Sequence, residues 1–79
     1  MLFRSLSEES RLYLEILAAH TRGPGETVKA HMVHADFTRI LAAGRTVDEK
    51  ELEHRLSTAF REAREADLVF EIADRVGGV

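Results

Sequence analysis

The chain has 79 residues, 44% of them apolar and 32% charged, a formal charge of -3, and no cysteine. A length of this order holds one domain, 1–79, and the missing cysteine excludes disulfides, thiolate zinc sites and thiol catalysis. No apolar run reaches the roughly 18 residues of a membrane span and Met1-Leu2-Phe3-Arg4 carries no secretory pattern, so a cytoplasmic protein with no membrane partner is expected.

Glycine and proline punctuate the chain at Gly23-Pro24-Gly25, Gly44 and Gly77-Gly78, which leaves three segments. The first opens on Ser7 as N-cap with Glu8 and Glu9 behind it, where negative charge suits the helix dipole; it predicts a helix over 8–21. Thr27 as N-cap and Gly44 as the C′ residue bracket a second helix over 28–43. Thr46-Val47-Asp48-Glu49 fits the capping box and starts a third.

Leu52, Leu56, Ala59, Ala63, Ala66, Phe70 and Ala73 then step by four and three in a heptad-like seam, which favours one helix over 47–76. A rival reading breaks it near Asp67 and makes Leu68-Val69-Phe70-Glu71-Ile72 a short strand, as β-branched and aromatic residues allow. The unbroken seam leads, so the expected fold is all-α: a three-helix unit, a hairpin over 8–43 plus the long third helix.

Apolar surface then exceeds what one copy can hide. Leu12, Tyr13, Leu14, Ile16 and Leu17 spread over about 200° of helix one, twice the arc of an ordinary surface helix. Helix two carries a second stripe of Val28, Met32, Ala35 and Ala42. Leu68, Val69, Ile72 and Val76 widen the end of helix three. That helix would span about 45 Å against about 21 to 24 Å for its neighbours. A symmetric dimer closes the excess most simply; a compact four-helix monomer kinked near Asp67 is the alternative. The first functional expectation is therefore a non-enzymatic interaction module, regulatory or companion in character. It would bind itself or another protein through Leu12, Tyr13, Leu14, Met32, Leu68, Val69, Ile72 and Val76.

Chemistry is sparse. The carboxylates fall on polar faces, where ordinary pKa values make poor general acids, and no serine has a nucleophile setting, so no catalytic residue is expected. His31 and His34 lie three apart on helix two as weak candidates for a metal, but no Asp or Glu at 27, 30, 35 or 38 completes a site; no metal or cofactor is expected. Gly23-Pro24-Gly25-Glu26 lacks the lysine and preceding strand of a phosphate loop and reads as a turn.

One stripe stands out. Lys50, His54, Ser57, Arg61 and Arg64 step along helix three opposite the seam, as a recognition helix would present itself to phosphates and base edges. Glu51, Glu53, Glu62 and Glu65 flank it and oppose DNA phosphate, although Glu51 stands at the favourable i,i+4 spacing from Arg55. The order helix one, Gly-rich link to Thr27, helix two, and a third helix ending Ala66-Asp67-Leu68-Val69 resembles a winged-helix domain over residues 8–72. It departs from that family in having no second wing strand before Val79 and no tight glycine-centred turn before helix three. The resemblance implies the second functional expectation, a DNA-binding regulator using the basic face of helix three.

Overall fold

The computed structural model describes residues 6–43 and 46–79. Gly44, the expected C′ residue of helix two, and Met1-Leu2-Phe3-Arg4 lie outside them. The chain forms three helices and a three-stranded antiparallel sheet, in the order α1 (Glu8–His20), β1 (Thr27–Lys29), α2 (Ala30–Leu41), α3 (Glu49–Glu65), β2 (Val69–Ile72) and β3 (Arg75–Gly78). The all-α bundle is thereby corrected to an α+β fold.

Helix α1 follows its local signals. The Ser7 side chain accepts the Ser10 N–H, and Glu8 and Glu9 occupy the first turn. Helices α2 and α3 start later than their caps predict. Thr27 lies in β1, and Lys29 precedes α2 with no side-chain cap; the first amide of α2, on Ala30, donates instead to the Asp74 carbonyl 2.8 Å away in the β2–β3 turn. A tertiary acceptor takes over the work of a local one. The Thr27 hydroxyl is engaged by Arg75 Nε at 2.8 Å. At α3 the expected capping box does not form, because Asp48 is the N-cap and its carboxylate accepts from the Lys50 amide.

The largest correction is at the end of α3, which stops at Glu65 rather than running to residue 76. Asp67 adopts a φ of 60°, the Leu68 N–H donates to the Ala63 carbonyl at 2.9 Å, and the Asp67 N–H to that of Arg64 at 3.0 Å. This 6→1 and 5→2 pair is a Schellman motif with Asp67 at C′, where glycine is usual. The seam holds for Leu52, Leu56, Ala59 and Ala63; Ala66 is exposed, and Phe70 and Ala73 belong to the hairpin beyond.

That hairpin pairs Ile72 with Arg75 across a two-residue turn in which Ala73 has a φ of 54°. Strand β3 then pairs with β1 as well, giving the order β1-β3-β2. A second hairpin strand before Val79, which the sequence reading did not expect, is therefore present. Gly77 sits where a Cβ would collide with the Glu26 carbonyl and the Phe70 ring, so this crossing of strand and loop requires glycine.

The core draws Tyr13, Ile16 and Leu17 from α1, Val33 and Phe37 from α2, Ala59 and Ala63 from α3, and one valine from each strand, Val28, Val69 and Val76. The Tyr13 ring meets those of His34, Phe37 and Phe60 at centroid separations of 5.7 to 6.2 Å. Alternation along the strands turns the valines toward the helices, and the chain thus hides most of the apolar arc that had suggested a dimeric bundle.

Candidate nucleic-acid interface

Helix α3 buries Ala59 and Ala63 and half-buries Leu52 and Leu56, which fixes its orientation. At about 100° per residue the opposite side carries Lys50, His54, Ser57, Arg61 and Arg64, and all five are exposed. The structure also sorts the flanking carboxylates. Glu62 contacts the start of α1, and Glu51 pairs within α3. The Glu62 carboxylate accepts from the hydroxyls of Ser7 at 2.8 Å and Ser10 at 2.5 Å. Glu51 pairs with Arg55 at 2.8 Å, at the i,i+4 spacing expected, and Arg55 also reaches Glu9 on α1 at 2.8 Å. Glu53 and Glu65 remain exposed beside the stripe.

Of the three cations in the line, Lys50 and Arg61 form no salt bridge among the described residues, while Arg64 reaches Glu71 of β2 at 3.5 Å. The β2–β3 hairpin thus stands against the C-terminal end of the stripe, with the acidic Asp74 and the basic Arg75 at and after its turn. Arg75 is held by the hydroxyl and carbonyl of Thr27.

The expected protein-binding residues divide. Tyr13, Val69 and Val76 are buried inside the single copy; Leu12, Leu14 and Leu68 are half-buried; Met32 and Ile72 are exposed at 44% and 59%. The two candidate metal ligands separate too: His31 is exposed and His34 is half-buried against Tyr13. Among the described residues no group of three or more His, Asp or Glu side chains could hold a metal ion. An apolar groove between Leu14, Ala18, Pro24 and Val79 has Arg22 as the single charged side chain of its lining and offers no acid–base pair. No helix among the described residues is long and apolar enough to cross a membrane.

Among the described residues four groups are shifted from their ordinary values. Hydrogen bonds from Ser10 and Ser7 hold Glu62 below the carboxylate range. His20, at 2.8 Å, and Arg39 do the same for Asp36. Burial depresses His34, with His31 adding to the effect and Glu71 opposing it. Burial raises Tyr13, helped by Glu71. The Tyr13 hydroxyl is buried with no hydrogen-bond partner among the described residues. The ties from Glu62 and Asp36 to other elements were invisible to one-dimensional reading, since their partners lie 52 and 16 residues away.

Comparison with known proteins finds no matching family model and no curated protein or solved structure of significant similarity.

Proposed function

We propose that this domain binds duplex DNA, laying the outward face of α3 in a groove with the β2–β3 hairpin beside it. The observation that carries the reading is the sorting of charge on α3: Glu62 is engaged by Ser7 and Ser10 at the start of α1 and Glu51 by Arg55, while Lys50, His54, Ser57, Arg61 and Arg64 share the exposed side. A helix with mixed charge in sequence becomes one with a basic line in space. The arrangement of helices and hairpin resembles a winged helix, in which the third helix is the reading element; that likeness supports the proposal by analogy alone. Hydroxyl and imidazole donors at Ser57 and His54 suit phosphates and base edges, and the cations supply the salt-dependent part of affinity.

The test is fluorescence anisotropy on a random-sequence duplex across a salt series. Replacing Lys50 and Arg61 together by alanine removes two phosphate contacts and should flatten the slope of log K against log salt by about 1.8, at roughly 0.9 per contact. A wild-type protein that leaves the duplex free at low salt sinks the reading. The companion reading, a protein-interaction module, rests on Met32, Ile40 and Ile72, the exposed large apolar side chains within regular elements among the described residues.

A further inference from the structure

We propose that a second copy of this chain pairs antiparallel with the open edge of β2, joining two sheets into one six-stranded sheet about a two-fold axis at Phe70. The inference is independent of the DNA reading. It begins with which backbone groups the sheet already uses. The Val79 N–H donates to the Leu68 carbonyl, while the Gly25 N–H donates to Gly78 on the other side of β3. Odd-numbered residues of β3 therefore serve β2, and even-numbered ones serve β1. Across from them, Phe70 pairs with Gly77 and Ile72 with Arg75. Phe70 and Ile72 are consequently bonded within the chain, and the N–H and C=O groups of Val69 and Glu71 point outward, since bonding sides alternate along a strand. Strand β2 is last in the order β1-β3-β2, so that row is unpaired by any neighbouring strand among the described residues.

The edge is short but has no lysine, no proline and no bulge, and its one charge, Glu71, is paired with Arg64; Val69, Phe70 and Ile72 favour strand. Three symmetric registers place outward amides opposite outward carbonyls. Those centred on Glu71 and on Val69 set like charges directly opposite each other, Glu71 against Glu71 or Glu71 against Asp67, which opposes pairing. The third centres on Phe70: Val69 and Glu71 of each copy exchange hydrogen bonds with Glu71 and Val69 of the other. Phe70 then faces its own copy, and Ile72, 59% exposed in the single chain, faces Leu68. The Phe70-centred register thus converts the exposed apolar side chains of the outer sheet face into cross-strand pairs without setting like charges opposite each other.

The chain has no cysteine, so introduced thiols report the register cleanly. In the Phe70-centred arrangement the two copies of residue 70 form a non-hydrogen-bonded pair with Cα atoms about 4.5 Å apart, within disulfide range. Phe70→Cys should therefore give an oxidised dimer at least tenfold faster than Glu71→Cys or Ile72→Cys. Glu71→Pro removes an outward N–H without touching a bond inside the sheet. It should abolish association while Glu71→Ala, which loses the same carboxylate, retains it. Light scattering of the wild type should show the mass rising from 8.9 kDa toward twice that value as concentration approaches millimolar. A wild type that stays monomeric at that concentration overturns the proposal, as does faster cross-linking at Glu71 than at Phe70. If Glu71→Pro fails to fold, the ranking of the three cysteine variants decides.

Discussion

The Ser10 hydroxyl, on a residue with no exposed surface, donates to the Glu62 carboxylate at 2.5 Å and so ties the first turn of α1 to the last turn of α3. The same carboxylate accepts from the Ser7 hydroxyl, which also caps α1. One acidic side chain of α3 thus completes the start of another helix, and its negative charge sits where the α1 dipole favours it. Ser10→Ala removes a buried donor to a charged acceptor and should lower stability by about 1 to 2 kcal/mol in urea denaturation.

Acid should weaken the fold in two stages. Glu62 and Asp36 both have folded values below their unfolded ones, so their stabilisation is complete above the ordinary carboxylate range and is lost as pH falls through the folded values. His34 is also depressed, chiefly by burial, so its neutral form is favoured in the fold and its contribution begins to fall once pH drops below about 6.5. Thermal melts from pH 8 to 3 should show both declines. Glu62→Gln should flatten the lower one and His34→Phe the upper one.

Tyr13→Phe should hold or raise the melting temperature. The hydroxyl is buried without a partner among the described residues, so removing it relieves a desolvation penalty of about 1 to 3 kcal/mol while leaving the ring contacts with His34, Phe37 and Phe60. At high pH the contrast should widen. Because the folded value of Tyr13 is raised, its contribution is present below the ordinary tyrosine range and is lost as pH climbs through the folded value; phenylalanine has no such loss. A clear drop in melting temperature for the variant at neutral pH would mean that the hydroxyl has a partner.

Two left-handed residues invite glycine. Asp67 and Ala73 have φ values of 60° and 54°, where a Cβ is disfavoured, by most at the alanine. Asp67→Gly and Ala73→Gly should each stabilise by up to about 1 kcal/mol, less the chain entropy glycine adds to the unfolded state, and Ala73→Gly should gain more. Chemical denaturation of the two single variants checks the order.

Glu71 neutralises Arg64 across 3.5 Å at the edge of the proposed DNA face. Glu71→Gln should free that cation, tighten duplex binding at low salt and steepen the salt slope by up to about 0.9. An unchanged slope would place Arg64 outside the interface.

Sequence alone determined the parts whose signals are local. Ser7 with Glu8 and Glu9 located α1 to within a residue, the Gly23-Pro24-Gly25 break fell where a loop runs, and the i,i+4 pair Glu51–Arg55 formed as its spacing required. The outward line from Lys50 to Arg64 was legible too, because helical periodicity is set by the backbone. Tertiary structure decided where α3 ends and what Val69 and Val76 do. The apolar pattern from Leu68 to Val76 serves a hairpin as well as a helix, and the stop signal was an aspartate in a position that glycine usually marks. Pairing of β3 with both β1 and β2, together with the Asp74 carbonyl that receives the first amide of α2, tipped the balance through partners far apart in the chain. Packing of α1 against α3 decided that Glu62 is engaged by Ser7 and Ser10, since which flank of a helix meets its neighbour is not set by the helix's own sequence.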